Sequence, residues 1–191
     1  MRHTHPRKSI FKPFMSLIGI TTLVFLTSGF NTFNAHKLNG GAIGRQYWLD
    51  GSVNSTLAAR ITSSKKSWGS ATALISIFES PNVSDSEILF FESSTLLATG
   101  SCGLAVLTDN GLNKINQFTQ NWSRAKVLLA DTVKNDGFAC PNGRGIITHE
   151  LGHVFGLAHV TSGVAVMRDD IAGLLITVPK DDDIEGIDFL Y

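Results

Sequence analysis

His149-Glu150-Leu151-Gly152-His153-Val154-Phe155-Gly156-Leu157-Ala158-His159 brings three imidazoles and one carboxylate into a single short stretch. Residues four apart on an α-helix are about 400° apart around its axis, so His149 and His153 project from one face and both reach one ion. Glu150 lies roughly 60 to 100° around from them, beside such an ion rather than on it, where it can hold a water. A continuing helix would carry His159 more than a further turn and a half away, so a third ligand here requires the chain to turn back. Gly156 permits that turn, because glycine adopts the left-handed conformation at a helix C-terminus without steric cost. Three histidines leave one position of a tetrahedral zinc open, which marks a catalytic rather than a closed structural site. Zinc lowers the pKa of its water from ~15.7 to roughly 7, and a nearby carboxylate completes the deprotonation and carries the proton to a leaving amine. The chemistry predicted is hydrolysis of a peptide bond. A bare His-Glu-x-x-His arises by chance on amphipathic helices, but five fixed positions coincide only about once in 10⁷ windows at ordinary residue frequencies.

Outward from this stretch, Ile147, Leu151 and Val154 follow i, i+4, i+7 spacing and face a core, while His149 and His153 face away from it. Upstream, Gln46 to Leu49 reads as a first strand, and Asn54 or Ser55 caps a helix with Leu57, Ile61 and Trp68 on one face. Ala71 to Phe78, Ile88 to Phe91, Gly103 to Thr108 and Ala125 to Asp131 read as four further strands, rich in branched and aromatic residues. Ser80-Pro81-Asn82 and Asp109-Asn110-Gly111 supply turns between them.

His149 to His159 resembles the long zinc-binding motif of the metzincins, in which a methionine also lies in a turn beneath the metal. Met167, in Gly163-Val164-Ala165-Val166-Met167, is similar in spacing and flanking pattern to the matrixin branch, and Asp181 to Tyr191 resembles the closing helix of a matrixin catalytic domain. Two positions depart from that pattern: no proline follows in Met167-Arg168-Asp169, and Val160 stands where serine or threonine is usual after the third histidine. The resemblance implies an α+β, zincin-type domain: a twisted mixed sheet of about five strands, a long helix, a zinc-site helix and a C-terminal helix. It implies His149, His153 and His159 as zinc ligands, Glu150 as general base acting on a zinc-bound water, and Met167 as a packing residue of the Met-turn. It further implies that Gly103 to Thr108 is an edge strand on which an extended peptide lies, with the loop after Met167 helping to form the specificity pocket. The activity implied is that of a zinc endopeptidase, with a protein or peptide as substrate. The alternative is a metzincin-like zinc-binding module or toxin subunit without useful turnover.

The 191 residues, 43% of them hydrophobic, suit one globular domain after a leader is removed. Arg2, Arg7, Lys8 and Lys12 precede an uncharged, largely apolar run from Phe14 to Leu26, the pattern of a secretory signal. That run is short of the ~20 residues a bilayer span needs, so no stable membrane association is expected after cleavage. Residues 1–35 are therefore assigned to the signal, cut between about 29 and 35, and 36–191 to the catalytic domain, with a buried N-terminal helix as the alternative. Secretion or an extracytoplasmic location follows, and the short interval before the domain leaves no prodomain to be expected. The leader holds four of the 16 basic and none of the 16 acidic side chains, leaving a mildly acidic mature chain with no basic stripe for nucleic acid. Cys102 and Cys140 are the only cysteines, and an oxidising compartment makes a disulfide their natural state, two buried thiols being the alternative. Its loop of about 38 residues would contribute ~3 to 4 kcal/mol in the chain-entropy model. Calcium is left open at Asp131, Asp136 or Asp181 to Asp183, against the alternative of solvated or helix-capping charges. The sequence says nothing of oligomeric state.

Overall fold

Asn54 starts the longest helix: its side chain accepts a hydrogen bond from the Leu57 amide at 3.0 Å, satisfying one of the amides a helix start leaves unpaired. The chain is described as a computed structural model covering residues 30–170 and 175–191; the basic and apolar leader up to Leu26 lies outside the described residues. In order, β1 (Arg45–Leu49), α1 (Ser55–Ala71), β2 (Ile77–Glu79), β3 (Ile88–Ser93), β4 (Gly103–Thr108), β5 (Arg124–Ala130), α2 (Gly143–Phe155) and α3 (Asp181–Leu190) build an α+β domain, as expected. The five strands form one mixed sheet in the order β2-β1-β3-β5-β4, parallel throughout except that β4 runs antiparallel to β5 on the edge.

The internal strands are the apolar ones. Ile88, Leu89 and Phe90 are buried in succession, and Phe90 pairs with Val127 of β5. Such unbroken runs belong to parallel strands covered on both faces. Leu57, Ile61, Ser64 and Trp68 form the buried stripe of α1, and the Trp68 indole N–H donates to the Thr148 carbonyl at 2.9 Å, locking α1 to α2. This contact explains the one strand that departs from the sequence reading. The expected strand over 71–78 is found only at Ile77–Glu79, because burial of Trp68 carries the helix on to Ala71, where the Thr72 amide closes it on the Trp68 carbonyl.

Cys102 and Cys140 are bonded, Cα to Cα 5.7 Å, joining the residue before β4 to the loop before α2. At the other end of the domain Tyr191 accepts from the Leu38 amide and donates to the Phe155 carbonyl, seating α3 against the end of α2. No helix among the described residues is long and apolar enough to cross a membrane.

Candidate metal centre

Helix α2 is capped by Asn142, whose side chain accepts from the Gly145 amide, and it ends at Gly156 with φ of 109°. A side chain there would be strained in that conformation and would also strike Leu190 and the His36 carbonyl. Past this glycine the chain reverses, with the Leu157 amide donating to the Gly152 carbonyl at 3.0 Å. His159 is thereby brought back over the helix face that carries His149 and His153. Its Nε2 stands 3.0 Å from the Nε2 of each of the other two. Among the described residues these three form the group that could hold a metal ion, with ligand atoms all within 4.8 Å of one another.

The tautomers of the two helical imidazoles follow from their outer contacts. His149 Nδ1 lies 2.7 Å from the Val166 carbonyl and His153 Nδ1 lies 2.8 Å from the Leu157 carbonyl. A carbonyl only accepts, so each Nδ1 carries the hydrogen and each Nε2 turns a lone pair inward. Burial lowers the His149 pKa to about 4 and places His153 and His159 below the ordinary histidine value. All three are then neutral at physiological pH, the form that binds a metal. Three neutral imidazoles, two of them with fixed tautomers, fit a zinc ion by their chemistry.

Met167 is 1% exposed and packs beneath α2, where a Cβ on Gly152 would come within 2.2 Å of its sulfur. The turn that carries it is fixed from α3. Asp183 accepts from the Val166 amide at 2.8 Å, the Met167 amide at 3.2 Å and the Lys180 amide at 2.8 Å. Burial pushes its carboxyl above the usual carboxylate range, with these three amides opposing. Asp183 thus holds Val166, and the Val166 carbonyl aims His149. Of the acidic residues considered for calcium, Asp136 is forked onto Arg60 at 2.7 and 2.8 Å and Asp183 is taken by backbone amides.

Glu150 is buried at 7% exposure. It borders, with the three histidines, a cleft of about 540 Å³ whose opposite wall includes Gly103, Leu104 and Ala105. Burial pushes its carboxyl up to about 8, and a hydrogen bond from the Ala105 amide opposes the rise. The alternation of the antiparallel ladder explains why that amide is available. Cys102 and Ala130 form a hydrogen-bonded pair, so Leu104 and Val106 face β5 while Gly103, Ala105 and Leu107 turn their backbone outward. Leu107 is engaged by the Ile115 amide at 3.0 Å. Among the described residues, the Gly103 amide and carbonyl, the Ala105 carbonyl and the Leu107 amide face the open edge.

Sequence reasoning missed a third participant. Asn31 and Phe33 lie where the end of the leader was expected, yet Thr32 bridges to Leu157, the Ala158 amide donates to the Asn31 carbonyl at 2.9 Å, and Asn31 Nδ2 donates to the His159 carbonyl at 3.1 Å. The Phe33 ring stacks 5.7 Å from His153. Local composition changes after Leu26, with Asn31, Thr32 and Asn34 among the residues that follow the apolar run, and that change marks the region expected for the cut.

Residues 109–191 match the family model described as matrixin. No curated protein sequence matches the chain. Among solved structures, the chain is similar to high choriolytic enzyme 1, a hatching enzyme zinc-protease from Oryzias latipes, the medaka fish. Identity is 19% and the TM-score 0.38, over 64% of this chain and 48% of that one, so the match spans about half the length of the hatching enzyme.

Proposed function

We propose that the chain is a secreted zinc-dependent endopeptidase in which His149, His153 and His159 hold the metal and Glu150 is the general base. The observation that carries this reading is the convergence of three inward-facing imidazole nitrogens on a cleft that Glu150 also borders. Zinc bound there would supply Lewis-acid polarisation of the scissile carbonyl and acidify a water. The chain's own residues do the rest. Glu150, beside the ligands rather than among them, takes the proton of the attacking water in its ionised form, which the charge of a bound zinc would favour against the rise from burial, and returns it to the leaving amine. The Gly103 amide and carbonyl and the Ala105 carbonyl accept an extended peptide as an added strand, which aligns the scissile bond across the histidines. Leu104 and Phe118, both exposed at the cleft, offer apolar contact to its side chains.

The Cys102–Cys140 disulfide supports an oxidising destination and hence export. Packing of residues 31–33 against His153 and His159 favours the Gly29 end of the expected 29–35 interval for the cut, which keeps Asn31 and Phe33 in the mature enzyme.

The test is cleavage of a proteome-derived peptide library by the protein beginning at Phe30, with Glu150→Ala alongside and zinc measured on both. Wild type is expected to cleave and to carry one zinc. Glu150→Ala is expected to keep the zinc and lose ~10² to 10⁴ in rate. Equal turnover by the two would remove Glu150 from the chemistry, and zinc without cleavage by either would indicate a binding module.

A further inference from the structure

Gly103 has an ordinary extended backbone, so its φ gives no reason for glycine. Its surroundings do. A Cβ at this position would lie 2.5 Å from Glu150 Oε1, 2.7 Å from its Cγ and 2.8 Å from its Cδ, closer than such atoms approach. The Glu150 carboxyl therefore rests directly on the bare Cα of Gly103, and two residues along the same strand the Ala105 amide donates to it. β4 walls and anchors this side chain at once.

That strand has a single neighbouring strand. It is an edge strand with β5 on one side and the cleft on the other. Immediately before Gly103, however, Cys102 is bonded to Cys140, which is fully buried and lies just ahead of the first residue of α2, Gly143. The bridge thus ties the strand that touches Glu150 to the approach of the helix that bears Glu150.

We propose that Gly103 and the Cys102–Cys140 bridge are positioning elements for Glu150: the glycine makes room for the carboxyl against β4, and the bridge keeps β4 at that distance. The proposal rests on the reading of Glu150 as general base. Neither element touches a zinc ligand, so each acts on the rate of the chemical step rather than on metal binding. A catalytic group displaced by about 1 Å loses up to ~10²-fold in rate.

The experiment compares wild type with Gly103→Ala, Glu150→Asp, the double variant and a Cys102→Ser/Cys140→Ser pair, reading kcat, KM, zinc content and circular dichroism on each. In Gly103→Ala, kcat is expected to fall ~10- to 10²-fold with zinc retained and KM within about threefold, because the backbone groups that pair with peptide are unchanged. Glu150→Asp, one methylene shorter, withdraws from the added methyl. In the Gly103→Ala background it should therefore cost much less than it costs in wild type, whereas independent sites would multiply. The cysteine pair should lower kcat with zinc and KM held. Wild-type kcat in Gly103→Ala, or multiplicative losses in the double variant, overturns the role of the glycine. If Gly103→Ala does not fold, the cysteine pair decides: a kcat loss with zinc held supports positioning, and unchanged kcat or joint loss of zinc and kcat overturns it. Failure of the peptidase reading is seen separately, as wild type equal to Glu150→Ala.

Discussion

The two walls that meet at Glu150 are held by different means. Beneath the histidines, the turn at Val166 and Met167 is fixed by buried polar contacts: Asp183 takes two of its amides and the Val166 carbonyl takes His149. Above them, β4 has one neighbouring strand, a disulfide at its start and the Ile115 contact at its far end. The contrast follows from what each wall must do. Ligand imidazoles need one tautomer and one direction, which buried hydrogen bonds supply because an unsatisfied partner there is costly. On the proposed function, a wall that receives a peptide strand must keep backbone groups open to solvent, so its position has to come from elsewhere, here from a covalent tie.

Breaking the lower wall should have the largest effect on stability. Asp183→Ala leaves the Val166, Met167 and Lys180 amides without their acceptor and is expected to cost about 3 kcal/mol in chemical denaturation, with weaker zinc retention because His149 loses its support. A variant with wild-type stability would mean that this wall does not depend on α3. Met167→Leu tests packing in the same wall without touching its polar contacts. Volume is conserved, so less than ~1.5 kcal/mol and a modest loss of activity are expected, and complete loss of zinc would overturn the packing role.

The smallest effect belongs near the upper wall. Arg60, on α1, holds the Asp136 carboxyl below the ordinary carboxylate range, helped by the Gly143 amide, and so ties α1 to the loop that contains Cys140. A carboxyl whose pKa is depressed in the fold adds stability above its unfolded value and loses it as pH falls through the depressed one. The stability gap between wild type and Asp136→Asn should therefore be constant above about pH 4 and close below it. Because the pair is substantially exposed, the gap is expected to stay under ~1 kcal/mol. A gap that widened on acidification would reverse the assignment.

The sequence carried the lower wall's ligands better than its supports. His149, His153, Gly156 and His159 obey helix geometry and a single reversal, rules that act within a dozen residues, and the structure places all four as expected. Strand β4 was legible to the residue, because β-branched and aliphatic residues lie between a cysteine and a turn. Asp183 was not legible as a support, since a side chain bonded to amides 16 and 17 positions away leaves no periodic trace. The purpose of Gly103 was hidden for another reason: it reads as the first residue of its strand, and only the approach of Glu150 shows why that residue is a glycine. Asn31 and Phe33 fell within the region expected for the cut, next to the leader.

One consequence of the way β4 ends concerns solubility. Unpaired strand edges template association between copies of a chain, and a sheet with long bare edges aggregates. Here the Ile115 amide takes the Leu107 carbonyl at the far end of β4, so the open run is short, from Gly103 to the Leu107 amide. The opposite edge, β2, is three residues long. On the proposed function one flexible guest strand enters the cleft, while among the described residues the two edges offer few backbone groups for pairing between folded copies.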